Sequence, residues 1–366
     1  MKTIFNYLKF AVLTAGVACV LTSCEKNNNG DDDNLPGIDI SALKITIDGD
    51  LCYYYDDSYP ANVGVYSTKT KSFGKRNFIT DGTSIAAPYG IGVDPITKEV
   101  YVSDADDYMT PSVVYIFDAN GKKQRTLNVG INPCGFAFKE GTGVFILSEG
   151  TWGGNNSTIS FYDFKSKETK FDIANGKLGS GAMDILIHGG KIYITVSTSG
   201  TIAVLGVASK EIIKTIEVKD GAGQSREPHY LTANAGKVYA TTFDGNVVRI
   251  DTTSLNIDGI TAVGNNPEGI AYAKGKLYVA NTNGLDYSNI DNTLSVIDIN
   301  KFQEESRITV GENPYILKSD NNGNIFITCR SVWKSDWSGI ETPGRFQYLN
   351  IQTGKVTTIQ DITTLQ

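Results

Sequence analysis

Residues able to do chemistry are few in this chain and widely spread. It has two histidines, His188 and His229, and five cysteines, Cys19, Cys24, Cys52, Cys134 and Cys329. A serine stands in the run Gly82-Thr83-Ser84-Ile85-Ala86-Ala87-Pro88. To act as a nucleophile it would need a histidine base and a carboxylate to orient that base. Both histidines come later, in strand-edge settings, and the run leads into a strand where a serine nucleophile of this kind should open a helix. Two histidines and scattered cysteines do not make a zinc site, which takes four close ligands. Asp56-Asp57, the trio Asp104, Asp106 and Asp107, and the pair Asp286 and Asp291 could hold calcium. None follows a defined calcium loop, and solvated turn carboxylates are the plainer reading. The expectation is a protein without catalytic residues, metal or cofactor.

Binding chemistry is better represented. All three tryptophans, Trp152, Trp333 and Trp337, lie in long polar stretches that also carry Tyr59, Tyr108 and Tyr287. Aromatic rings on exposed loops give a flat contact surface with a polar handle. Uncovered, they would be an unusual apolar surface. Asn155, Asn156, Asn281, Asn283 and Asn289 add amides beside them. The alternative is that the rings pack onto neighbouring loops.

The elements that position these residues form a repeat. One unit opens on an Asn-Pro or Glu-Pro turn, then has a short apolar strand, a Gly-Lys turn, a strand centred on Tyr or Phe, a loop, and a strand ending in Asp. Its clearest copy is Asn266-Pro267-Glu268-Gly269-Ile270-Ala271, then Gly275-Lys276-Leu277-Tyr278-Val279-Ala280, then Leu294-Ser295-Val296-Ile297-Asp298. The second-strand aromatics fall near Tyr54, Tyr101, Phe145, Tyr193, Tyr239, Tyr278 and Phe326. Seven units of roughly 45 residues with four strands each predict an all-β chain folded as a seven-bladed β-propeller with four-stranded blades. The first copy is the most degraded, with strands expected at 43–47, 51–55, 63–66 and 77–80.

In such a blade the loop between strands two and three shares a face with the link to the next blade. These loops are long at 56–62, 104–112, 149–157, 281–292 and 330–344, while the opposite turns are short. Long loops on a rigid scaffold commonly carry function. The linker residues that open each innermost strand, Tyr89, Cys134, Asp184, His229, Tyr230, Glu268 and Tyr315, point to one central funnel. Loop position therefore nominates Tyr59, Tyr89, Tyr108, Trp152, Asn156, His229, Tyr230, Phe243, Glu268, Asn283, Tyr287, Tyr315, Trp333 and Trp337 as ligand-binding residues.

The amino terminus is read separately. Lys2 and Lys9 precede an apolar run, Phe10 to Leu21, that is short for a membrane span and ends at Leu21-Thr22-Ser23-Cys24. This resembles the bacterial lipoprotein cleavage box. It implies a signal peptide over 1–23, lipidation of Cys24, and anchoring by its acyl chains. Residues 24–36 are rich in Asn, Asp and Gly and read as a disordered tether. The propeller domain is expected over 37–366. The net charge is −7, and removing the leader takes away two lysines and no acid. An acidic chain is unsuited to nucleic acid. Three cysteines remain, Cys52, Cys134 and Cys329. They read as small buried apolar residues, with a Cys52–Cys329 bridge as the alternative if first and last blades meet.

Three resemblances follow from these residues. The Gly82–Pro88 run resembles the serine box of subtilisin-type proteases, but the Asp and His boxes that precede it in that family are missing. The Asn-Pro-x-Gly entry, Tyr-Val strand and Val-Ile-Asp strand resemble YncE-like propellers over about 43–362. A lipidated YncE-like propeller with an acidic tether is similar to the Bacteroides-type surface lipoproteins that capture cobalamin (vitamin B12). That likeness implies a cell-surface position on the outer membrane, a corrinoid as ligand, and delivery to a TonB-dependent outer-membrane transporter. The alternative is a protein- or glycan-binding surface propeller without catalytic activity.

Overall fold

A computed structural model describes residues 44–55, 63–74, 77–286, 288–320, 322–336 and 338–361. The expected leader, Cys24 and the tether lie outside them, as do Tyr59, Tyr287 and Trp337. The described residues form seven four-stranded antiparallel blades. Blade 1 is β1 (Lys44–Asp48), β2 (Leu51–Tyr55), β3 (Val63–Ser67) and β4 (Ser72–Phe73). Blade 2 is β5 (Pro88–Val93), β6 (Val100–Asp104), β7 (Val113–Phe117) and β8 (Lys123–Asn128). Blade 3 is β9 (Pro133–Lys139), β10 (Gly143–Ser148), β11 (Thr158–Asp163) and β12 (Thr169–Lys170). Blade 4 is β13 (Ala182–His188), β14 (Lys191–Val196), β15 (Thr201–Gly206) and β16 (Ile212–Glu217). Blade 5 is β17 (Pro228–Asn234), β18 (Lys237–Thr242), β19 (Asn246–Asp251) and β20 (Ile257–Ala262). Blade 6 is β21 (Pro267–Ala273), β22 (Lys276–Asn281), β23 (Thr293–Asp298) and β24 (Gln303–Thr309). Blade 7 is β25 (Pro314–Ser319), β26 (Asn324–Cys329), β29 (Arg345–Asn350) and β30 (Lys355–Asp361), with a small hairpin, β27 (Val332–Trp333) and β28 (Ile340–Thr342), in its long loop.

Position within a blade explains composition. Second strands are covered by partners on both edges and by a blade on each face, so they read as unbroken apolar runs such as Val144–Leu147. Fourth strands are edges. Lys123–Asn128 and Gln303–Thr309 are charged there, which discourages edge-to-edge pairing. The second-strand aromatics wedge into the next blade. Tyr101 of blade 2 meets Phe136 and Phe138 of blade 3, and Phe145 packs against Ile185 and Ile194 of blade 4.

Two expectations in blade 1 need correction. Tyr53, one residue earlier than expected, faces blade 2 and packs on Phe78, while Tyr54 faces blade 7. A period of two makes a one-residue error a change of face, and three successive tyrosines conceal it. The fourth strand is Ser72–Phe73, not 77–80. The latter stretch forms no strand: the Phe78 N–H donates to the Val63 carbonyl of β3 at 2.7 Å, and the chain then crosses to blade 2, where the Thr80 N–H donates to the Gly121 carbonyl at 2.9 Å.

The inner strands β1, β5, β9, β13, β17, β21 and β25 pack in that order, and β25 returns to β1. Each blade is one continuous stretch of chain. The ring thus closes by side-chain packing of the first blade on the last, with no mixed blade. Tyr54 and Tyr66 of blade 1 meet Tyr315, Phe326 and Phe346 of blade 7 there. Cys52 and Cys329 stay buried free thiols.

Candidate functional site

A repeated backbone device builds the site. The residue just before the inner strand is left-handed at Asn132 (φ 55), Gly181 (φ 72), Glu227 (φ 51), Asn266 (φ 45) and Asn313 (φ 55). Asn tolerates that conformation better than most side chains, and glycine has no Cβ to clash. The carbonyl so turned accepts the N–H of the first residue past the second strand. Glu149 donates to Asn132 at 2.9 Å, Ser197 to Gly181 at 2.8 Å, Phe243 to Glu227 at 3.0 Å and Arg330 to Asn313 at 2.9 Å. In blade 6 the Thr282 hydroxyl does this, donating to the Asn266 carbonyl at 2.7 Å. The inner strand then has a register irregularity at its entry, as between Pro228 and Leu231, Pro267 and Ile270, and Pro314 and Leu317. Each blade thus delivers two positions to the axis: the start of strand one and the end of strand two.

These positions meet across the ring. His229 of blade 5 lies flat against Phe243, with centroids 4.6 Å apart and planes at 19°. Its Nδ1 is 2.9 Å from Oε2 of Glu268 in blade 6, and the two side chains are 7% and 8% exposed. Glu268 Oε1 is 3.6 Å from Nη1 of Arg330 in blade 7. The Arg330 guanidinium covers the Tyr315 ring at 3.4 Å. The Tyr230 hydroxyl of blade 5 reaches the Tyr315 hydroxyl of blade 7 at 2.8 Å, past blade 6. On the other side, Tyr89 of blade 2 donates its hydroxyl to Glu149 of blade 3. The Lys44 ammonium of blade 1 lies 4.5 Å above the Tyr89 ring. Tyr108 packs edge-on against Tyr89 at 5.9 Å. Asp184 of blade 4 accepts from the Ile185 N–H at 2.9 Å and the Leu231 N–H at 2.8 Å.

Burial and charge divide the carboxyls. Burial raises Glu149 above its ordinary range, only partly offset by the Tyr89 hydroxyl, Lys44 and His229. Asp184 is raised for the same reason. Burial would raise Glu268 as well, but His229, Arg330 and Lys44 outweigh it and hold this carboxyl low. Burial pushes the Cys134 thiol up to about 12, which leaves it a poor nucleophile.

Of the nominated residues, Tyr89, His229, Tyr230, Phe243, Glu268 and Tyr315 come together on the axis, with Tyr108 beside them. Four others stand on the rim. Trp152 is 50% exposed. Asn156 is occupied within its own loop, accepting the Thr151 N–H at 2.9 Å. Asn283 accepts from the Asn265 amide at 3.3 Å and donates to the Asn289 carbonyl at 2.7 Å, lining a polar cleft of about 230 Å³. Trp333 is paired in the β27–β28 hairpin. Lys44, Glu149 and Arg330 escaped nomination. The signal for the last two is position, one residue past the second strand. Ser84 is exposed and bears no histidine. Its neighbours Ala86 and Ala87 donate N–H groups to Asp104, at 3.0 and 2.8 Å, as a loop closure. Among the described residues no cluster of three or more His, Cys, Asp or Glu could hold a metal ion.

Comparison with known proteins adds the following. The family described as "Domain of unknown function (DUF5074)" matches residues 142–333. No curated protein matches. Among solved structures, the computationally designed Ika8 protein is similar at 14% identity and a TM-score of 0.62, over 89% of this chain and 88% of that one. The WD40 β-propeller domain of Doa1 is similar at 14% identity and a TM-score of 0.58, over 81% of this chain and 95% of that one. At such identities the likeness speaks to fold alone.

Proposed function

We propose that this chain, which belongs to the DUF5074 family, is a non-catalytic binding propeller that captures a small molecule on the axis of its long-looped face. One observation carries the reading: contributions from six of the seven blades converge there as an aromatic and charged floor. Tyr89, Tyr108, Tyr230, Phe243 and Tyr315 supply ring surface, and Lys44, Glu149, Glu268 and Arg330 supply charge. The carboxyls are tied to protein donors, and among the described residues of the axis no nucleophile stands beside a free base. The favoured ligand is a corrinoid, a broad ring edged with amides, as the likeness to YncE-like capture lipoproteins implies. The same reading places the chain on the outer membrane through Cys24 and has it deliver its ligand to a TonB-dependent transporter. Titration of residues 37–366 with cyanocobalamin, followed by calorimetry, tests it. Binding at micromolar ligand or below is expected, and its absence there overturns the corrinoid assignment.

A contact with a protein on the same face has its own support. Met109 and Trp152 are 65% and 50% exposed on neighbouring loops. The Asn132 amide ties those loops together, donating to the Tyr108 carbonyl at 3.3 Å and the Gly150 carbonyl at 2.9 Å. Exposed apolar pairs on a rigid rim suit a partner better than water. Loss of transporter co-purification in a Met109→Ser, Trp152→Ser double variant is the expected result.

A further inference from the structure

We infer that the axial site seats an oxyanion, a phosphate or carboxylate group of its ligand, between Arg330 and Lys44. The inference deepens the binding reading above and rests on it. It comes from an asymmetry between the two signs of charge at the axis.

Every carboxylate there is already engaged by the protein. Glu149 accepts the Tyr89 hydroxyl. Asp184 accepts two backbone N–H groups. Glu268 accepts from His229. The cations are less fully engaged. A guanidinium carries five N–H donors in a planar fork. At Arg330 the fork has one carboxylate neighbour, at 3.6 Å, and a hydrogen bond with Tyr315, whose ring lies under one face; the other donors of the five are left for an acceptor. Its side chain is 24% exposed. Lys44 has the Tyr89 face beneath it and, among the described residues, no carboxylate within 4 Å. Its charge is nonetheless felt by Cys134, Glu149, Asp184 and Glu268, on blades 3, 4 and 6. The Tyr89 ring beneath the ammonium, whose hydroxyl is bonded to Glu149 of blade 3, sets it at the same cluster.

Lys44 and Arg330 belong to blades 1 and 7, which are neighbours at the ring closure. Both act on Glu268. Aromatic faces hold both heads in place: Tyr89 under the ammonium and Tyr315 under the guanidinium. A cation over a ring keeps its remaining donors free for an acceptor, and the fork of an arginine matches two oxygens of one group. Glu268 competes for Arg330 through Oε1 alone, at 3.6 Å, because Oε2 is held by His229 at 2.9 Å.

The test uses the full chain in mild detergent, titrated with inorganic phosphate and, separately, acetate, with chloride held constant. Saturable binding of at least one probe is expected. Arg330→Gln should weaken it at least tenfold, and Lys44→Gln should do likewise. Arg330→Lys keeps the charge, loses the fork, and should fall between wild type and Arg330→Gln. Arg307→Gln, on the polar rim cleft, should leave binding unchanged. Circular dichroism establishes that each variant is folded. Preference for phosphate or for acetate tells which oxyanion the seat prefers. The inference is overturned if neither probe saturates, or if folded Arg330→Gln and Lys44→Gln bind like wild type. A corrinoid that fails to bind while phosphate does would sink the ligand assignment and leave the oxyanion seat standing.

Discussion

At the scale of single residues, the axis holds carboxyls shifted in opposite directions, and pH separates them. Glu149 holds its proton more tightly folded than unfolded. Its contribution to stability is therefore present below the ordinary carboxyl value and is lost as pH rises through the raised one. Glu268 has the opposite sign: its contribution is present at neutral pH and lost as pH falls through the depressed value. Glu149→Gln keeps an acceptor for Tyr89 and removes the charge. The variant should match wild type near pH 4 and melt at a higher temperature near pH 8. Thermal scans across that range check this, and a constant difference at all pH values would refute the assignment. Lys274 offers a simpler case. With Gly275 it forms the two-residue turn between β21 and β22, both residues having positive φ (44 and 81). Such turns favour Asn-Gly. Lys274→Asn should stabilise by about 1 kcal/mol in urea denaturation.

At the scale of elements, the contacts between blades are repeated with variations that expose their logic. A Gly-x-Asn-Pro link recurs at Gly130, Gly264 and Gly311. Gly264 donates its N–H to the Asn281 amide oxygen at 3.1 Å, and that amide donates to Thr293 and Ser295 at 3.0 and 2.9 Å. Gln347 plays a similar part for Gly311, accepting its N–H at 2.7 Å. A Cβ on Gly264 would overlap the Asn281 side chain. Gly264→Ala should thus cost about 1–3 kcal/mol by forcing blades 5 and 6 apart. In blade 3 the matching residues are Ser148, Thr158 and Ser160, and their hydroxyls have no hydrogen-bond partner. Serine lacks the amide that makes these bonds in blade 6. Ser148→Asn should raise stability by about 1 kcal/mol, read as a shift in the urea midpoint without a change in slope. A destabilised Ser148→Asn would mean that the two links are not equivalent.

The repeat explains what was legible in advance. Aromatic second strands, short turns and proline entries are local patterns, so blade number, strand order and the long-looped face could be read from them. The first blade was harder, because Tyr53, Tyr54 and Tyr55 satisfy either register. The axis was half legible. Tyr89, His229, Glu268 and Tyr315 follow an obvious turn. Glu149 and Arg330 follow ordinary strands, and only the left-handed residue before the proline turns a carbonyl to hold them inward. Pairings such as Tyr230 with Tyr315 depend on ring closure, which no local pattern encodes.

At the scale of the whole molecule, the ring is held shut by rings. Tyr66 lies 5.7 Å from Phe346 and 6.2 Å from Phe326, and Lys71 covers Tyr348 at 4.3 Å. Tyr66→Ala should destabilise by about 3 kcal/mol and speed hydrogen exchange in β1 to β3 ahead of blades 3 to 5. Equal acceleration everywhere would mean that the first blade is no weaker than the others. The seam has a consequence for lifetime. Lys44 stands on one side of it, Arg330 and Tyr315 on the other, so the proposed ligand, seated between them, would act as a latch across the opening. Held at a hundredfold above its dissociation constant, it adds about 2.7 kcal/mol against unfolding. On that proposal empty copies would open sooner and meet proteases sooner, whereas loaded copies would endure. Cargo would then sort full carriers from idle ones by survival alone.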